Sequence, residues 1–175
     1  MKQRLSEFNA LPREAAQSEL MKCCGSTRWA QMVADARPFS DLGEMLLTAD
    51  RVWQSLDATD WLEAFSHHPQ IGERKAERAQ AAEASRWSAQ EQSGTRDADA
   101  PMASALAAAN RAYLQKFGHI FIVCATGKSA GEMLSACEQR LQHDPATELR
   151  IAAEEQRRIT HLRLRKLLES EEQGV

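Results

Sequence analysis

One short run, Ile120-Phe121-Ile122-Val123-Cys124-Ala125, has the β-branched and aromatic composition of a strand, and no second run elsewhere in the chain is available to pair with it. A lone strand cannot complete its ladder, so the core has to be built from helices. The remaining composition agrees, with Ala, Leu, Glu, Gln and Arg dominant and β-branched residues sparse. The expected fold class is all-α: a single domain over residues 1–175, built as a bundle of about eight helices with one short buried extended segment. The main-chain groups of that segment then need partners inside the protein or in a ligand, because buried backbone is seldom left unpaired.

Helix punctuation divides the rest of the chain. Asn9 reads as the N-cap of a helix from about Pro12 to Cys23, ended by Gly25. Ser26 opens a second helix with Trp29, Met32 and Val33 on its inner face, closed by Arg37-Pro38. Ser40 opens a third, turning Leu42, Met45, Leu46, Ala49 and Val52 or Trp53 inward, and Asp57 or Thr59 caps a short helix that delivers His67 and His68. From Gly72 to Arg86 the chain is helix-prone but nearly devoid of large apolar residues, which suits an exposed helix or ordered loop lying over a site. Ser88-Ala89-Gln90-Glu91 matches a capping box and places a helix start there, with a break at Gly94. Asp99 and Pro101 begin a long amphipathic helix carrying Met102, Leu106, Ala109, Tyr113, Leu114 and Phe117, ended by Gly118. Ser129-Ala130-Gly131-Glu132 is a second capping box, for a helix through Leu134, Cys137 and Leu141, and Asp144-Pro145 starts the longest helix, to about Leu168.

The charges exclude several function classes. With 22 basic and 25 acidic residues dispersed along the chain and a net charge of -3, there is no basic stripe for nucleic acid. A mean hydropathy of -0.52 and the lack of any long apolar run argue against a membrane span. No apolar signal core follows Met1, and the C-terminal Glu171-Glu172-Gln173-Gly174-Val175 is no peroxisomal address, so a cytoplasmic location is expected. Cys23, Cys24, Cys124 and Cys137 have no metal or redox spacing and read as reduced core thiols. The expected partner is a small molecule or another protein chain.

Three polar positions stand out. His68 precedes Pro69, whose ring pushes the preceding residue out of helical backbone, so His68 should sit just past the helix end, where unpaired carbonyls favour an imidazolium. Arg163 falls in the apolar stripe formed by Leu149, Ala152, Gln156, Ile159 and Leu167, and an inward cation needs a carboxylate, a cluster of backbone acceptors or an anionic ligand. Arg157, Arg158 and Arg165 read as solvated. Glu91 has a competing structural role at the third position of its capping box, although Glu91 and Gln92 at a helix N-terminus could also aim polar groups into a cleft. No phosphate-loop, dinucleotide, zincin or serine-hydrolase motif is present. These residues suit general acid–base work on a small anionic substrate without metal. A helical protein-interaction module, with Arg163 and Glu91 as a structural ion pair, is the alternative.

Taken in order, Phe8-Asn9, His68-Pro69-x-Ile71-Gly72, Ser88-x-x-Glu91-Gln92, Asn110-x-x-Tyr113-x-x-Lys116-Phe117-Gly118, Phe121-Ile122-x-Cys124-Ala125 and Leu162-Arg163-Leu164 resemble the OHCU decarboxylase family over roughly Leu5 to Leu168. The resemblance implies an all-α, cofactor-free enzyme, usually a homodimer, that decarboxylates 2-oxo-4-hydroxy-4-carboxy-5-ureidoimidazoline to (S)-allantoin in urate breakdown. By the same resemblance His68 would be the catalytic acid, with Glu91 and Arg163 as further catalytic groups. Pro69, Ser88, Gln92 and the main chain of Phe121, Ile122, Val123, Cys124 and Ala125 would contact the anionic ureidoimidazoline. His67 keeps a structural role.

Overall fold

The computed structural model describes residues 1–71, 82–95 and 98–169. Among these residues there is no strand, and nine α-helices follow one another: α1 (Lys2–Ala10), α2 (Arg13–Cys23), α3 (Thr27–Asp35), α4 (Leu42–Ser55), α5 (Ala58–Ser66), α6 (Ala82–Glu91), α7 (Ala100–Phe117), α8 (Ala130–Arg140) and α9 (Pro145–Leu168). A single 3-10 turn, Ser93–Thr95, follows α6. The all-α class holds. The helix beyond the expected eight is α1, whose polar sequence hides its helical character. Of the stretch from Gly72 to Arg86, residues 72–81 lie outside the described residues, and the remainder opens α6.

The chain divides into two compact units. The first comprises Met1–Glu63 and Arg157–Val175. In it α2 packs on α3 and α3 on α4 around Leu20, Trp29, Val33 and Met45, with the Trp29 Nε1–H donating to the Ala49 carbonyl at 3.1 Å. Ser26 caps α3 as expected, its hydroxyl accepting from the Trp29 N–H. Asn9 does not cap α2; it lies inside α1, and its amide grips the Phe39 backbone from both sides, donating to the carbonyl at 2.8 Å and accepting from the N–H at 3.0 Å. Pro12 takes the N-cap position without a side-chain bond. Asp41, not Ser40, caps α4, and Met32, expected inside, is 39% exposed. Arg37 gathers helix-end carbonyls, donating to Ala34, Phe8 and Leu11 at 2.8 to 2.9 Å.

The second unit runs from Ala64 to Gln156. Here α7 packs on α8 around Leu106, Ala109, Tyr113, Phe121, Val123, Met133 and Cys137. Asp99 caps α7, Gly118 closes it in the left-handed conformation at φ 76°, and the Ser129–Glu132 capping box is complete. The other expected box is not used. Ser88 and Glu91 stand in the last turn of α6, and the Gln92 N–H continues the helical pattern by donating to the Ser88 carbonyl at 3.0 Å. The reason is upstream: Ala82 to Arg86 is itself helix-prone, so the helix is already under way when it reaches the Ser-x-x-Glu pattern. Residues 120–125 form the expected non-helical run, with Phe121, Ile122, Val123 and Ala125 buried and Cys124 half-buried.

Candidate active site

Asp57 starts α5, its carboxylate accepting from the N–H groups of Thr59 and Asp60. The helix ends at Ser66, and the N–H groups of His67 and His68 reach back to the carbonyls of Ala64 and Phe65 at 3.2 and 3.1 Å. His67 is exposed, whereas His68 and Pro69 are half-buried. The turn is anchored three residues on, where the buried Asn110 on α7 donates its amide N–H to the Ile71 carbonyl at 2.9 Å. The His68 ring is held in turn: its Nε2 lies 2.7 Å from Oε1 of Gln156 on α9, a side chain wholly removed from solvent.

Ser88 and Glu91 are buried, at 4% and 7% exposure, and Gln92 is half-buried. The end of α6 leaves Glu91 without the N-terminal capping duty that its sequence pattern suggested. A carboxyl group so placed is costly to bury for packing alone. Beyond it, Gly94 lies against the loop before α8, where an added Cβ would stand 2.0 Å from the Lys128 carbonyl oxygen.

The 120–125 segment is braced by charged side chains. The Cys124 N–H donates to the Glu155 carboxylate at 2.7 Å, and Lys128 donates to the Cys124 carbonyl at 2.8 Å. Arg140 donates from Nη1 to the Ile122 carbonyl at 2.8 Å and from Nε to Glu148 at 2.7 Å. Glu148, fully buried, also accepts from the Tyr113 hydroxyl and pairs with His143 Nδ1 at 2.8 Å. Burial alone would raise the Glu148 pKa, but the hydrogen bonds from Arg140, Tyr113 and His143 together with the Arg140 charge hold it below the carboxylate range. Burial pushes the Cys124 thiol up, the Glu155 carboxylate adds to the push against Lys128, and Glu91 adds a smaller part. Glu91 thus lies within electrostatic reach of the same segment.

His68, Ser88, Glu91, Gln92 and residues 121–125 therefore all fall within the second unit. Arg163 belongs to the first. It is inward as expected, at 3% exposure, and its Nη1 donates to the Lys22 carbonyl at 3.3 Å. Arg157 is not simply solvated; it pairs with Asp50 at 3.0 Å, beside a His161–Asp50 contact of 2.7 Å. Sequence reasoning did not single out Glu155, Arg140 or Glu148, and noted Gln156 only as a member of the apolar stripe. The one signal, for Glu148 and Gln156 alone, is a polar residue recurring at core spacing along α9, where both are buried like Arg163; Arg140 on α8 and the half-buried Glu155 carry none. Burial lifts the Cys23 thiol far above its ordinary range and pushes Cys24 up to about 12 and Cys137 up to about 11, which keeps these three protonated at neutral pH.

Fold and site together define an all-α protein with a braced histidine, a buried carboxyl group and an irregular main-chain run in one unit. The sequence model of the OHCU decarboxylase family matches residues 9–165, across both units, and the chain belongs to that family. The chain is 39% identical over 155 residues to the uric acid degradation bifunctional protein TTL of Arabidopsis thaliana, covering 88% of this chain and 48% of that one, so it spans about half that relative's length. It is 29% identical over 142 residues to a 2-oxo-4-hydroxy-4-carboxy-5-ureidoimidazoline decarboxylase of Haloferax volcanii, covering 81% of this chain and 82% of that one. A crystal structure of an OHCU decarboxylase in the presence of (S)-allantoin superimposes with a TM-score of 0.76 at 39% identity, over 87% of this chain and 99% of that one. An (S)-allantoin synthase structure, at 18% identity and a TM-score of 0.70, shares the fold over 93% of this chain and 53% of its own.

Proposed function

We propose that this protein decarboxylates 2-oxo-4-hydroxy-4-carboxy-5-ureidoimidazoline to (S)-allantoin in urate breakdown. The observation that carries this reading is that the motif residues of three separate parts of the sequence, His68-Pro69, Ser88-x-x-Glu91-Gln92 and Phe121 to Ala125, belong to one compact unit of a chain that matches the family from residue 9 to 165.

In the mechanism, the bond between the ring carbon and its carboxylate breaks and CO2 leaves. The electron pair stays behind on the ring as an enolate-like species. His68 then delivers a proton to one face of the neighbouring ring carbon, the one that bears the ureido group, as the hydroxyl loses its proton and becomes the ring carbonyl, and a donor fixed on one side yields the S product. Glu91 orients or deprotonates the substrate hydroxyl, while Ser88, Gln92 and the main chain of residues 121–125 hold the ureido and ring groups. Pro69 lines the site. Arg163, in the family's Leu-Arg-Leu motif, is assigned to an anionic oxygen of the substrate, where a guanidinium stabilises developing charge. The same reading makes the protein a cytoplasmic homodimer. Among the described residues no helix is long and apolar enough to cross a membrane.

The test is to add the protein to freshly generated substrate and follow decay by ultraviolet absorbance and product chirality by circular dichroism. Accelerated loss with accumulation of (S)-allantoin is expected. Decay at the spontaneous rate to racemic allantoin would instead favour a non-enzymatic helical module.

A further inference from the structure

Residues 155 and 156 of α9 reach two different parts of the candidate site. Glu155 holds the Cys124 N–H at 2.7 Å, and Gln156 holds His68 Nε2 at 2.7 Å. Gln156 is 0% exposed, so its amide is not exchanging this contact for bulk water. A buried amide oxygen can only accept, so a ring nitrogen facing it must carry hydrogen. Neutral imidazole has two tautomers, and which one is present is set by the bond that one of its nitrogens makes.

We infer that Gln156 is a positioning residue for His68, fixing the ring in the tautomer protonated on Nε2 and aiming it for proton transfer. The inference rests on the decarboxylase reading for what the proton does, but not for the tautomer itself. If Nε2–H stays bonded to the Gln156 oxygen through turnover, the proton that moves is the one on Nδ1. His68 then begins the step as an imidazolium. The Nδ1–H bond breaks as the proton joins the substrate carbon and its electron pair, and the ring returns to the neutral Nε2–H form. Solvent restores the proton before the next cycle. A Gln side chain suits this task because it accepts from the ring whether His68 is charged or neutral. It therefore orients both forms without strongly favouring either, which a carboxylate would not do.

The tautomer is read directly by two-bond 15N–1H correlation spectra of the protein labelled on histidine, with the His68 signals assigned by their loss in His68→Ala. The expected wild-type result, without substrate and at a pH high enough to record the neutral ring, is a pyrrole-type Nε2 and a pyridine-type Nδ1 for His68. Gln156→Leu, close in size and apolar, should give averaged tautomer shifts. It should also lower kcat roughly tenfold or more, the scale at which partners that orient a histidine act, with KM little changed. Gln156→Glu keeps an acceptor oxygen at the same reach and should preserve the Nε2–H signature.

A pyridine-type Nε2 in the wild type would overturn the inference, since the amide would then be donating to the ring. An unchanged His68 spectrum and kcat in Gln156→Leu would do the same, reducing Gln156 to a packing residue. The wild-type spectrum decides even if neither variant folds. Because it is recorded without substrate, a correct tautomer with no decarboxylation would separate failure of the functional reading from failure of this one.

Discussion

Gly94 shows how one position can be settled by space rather than by chemistry. A Cβ there would meet the Lys128 carbonyl oxygen at 2.0 Å, and backbone cannot step aside as a flexible side chain can. Gly94→Ala should therefore destabilise the protein by about 1–3 kcal/mol, the usual cost of overpacking, read as a lower urea midpoint. His119 makes the opposite kind of demand. It is buried at 8% exposure between the Phe65, Tyr113 and Phe117 rings, and burial holds its pKa below the ordinary 6.5. The unfolded chain takes up that proton first, so the contribution is complete above pH 6.5 and is lost as pH falls through the lower folded value. Glu148 has the same sign from a lower start, because its folded pKa lies below the ordinary 4.5. Stability measured by urea unfolding should accordingly fall in two stages on acidification. His119→Phe should remove the upper one, and a stability flat from pH 7 to 5 in the wild type would contradict the assignment.

At the level of elements, besides the small Thr160, α9 buries three long polar side chains, Glu148, Gln156 and Arg163, where an ordinary core helix would carry leucine. Each needs a partner that only the folded chain supplies, so Gln156 and Arg163 were visible at core spacing in the sequence while what they meet was not. Arg163 announced itself as a cation in an apolar stripe. Glu148 did not, since its partner Arg140 sits on α8 and its Tyr113 contact comes from α7. Arg140→Leu would leave Glu148 buried beside an uncharged neighbour and strip the Ile122 carbonyl of its donor. The expected loss is about 3–5 kcal/mol, the cost of breaking a buried pair from one side, measured by thermal or urea unfolding. A loss below about 1 kcal/mol would mean the pair contributes little to holding the segment. The two capping-box patterns make the complementary point. Ser129–Glu132 follows a loop and caps α8, but Ser88–Glu91 follows helix-prone residues and ends up inside α6. A local signature decides only where nothing upstream has already begun a helix.

Across the whole molecule, fold class was the easiest property to read, because a single strand-like run with no partner leaves helices as the way to bury a core. The run itself, residues 120–125, is indeed non-helical and is braced by Glu155, Lys128 and Arg140. The site was legible only as scattered motifs. His68-Pro69 taken alone is a helix stop like many others, and its proximity to Gln156 spans 88 residues of sequence, a separation that no local pattern encodes. Family membership carries the step from helix stop to candidate acid, and the structure adds what holds that acid in place. The central claim is that His68 supplies the proton that makes the product chiral. The direct measurement is the rate and optical purity of allantoin formed by His68→Ala, shown to be folded by circular dichroism, on freshly generated substrate. Loss of about 10² to 10⁴ in rate, with product no more enriched in the S form than the uncatalysed reaction gives, is the predicted result. Near wild-type turnover to optically pure (S)-allantoin would contradict it.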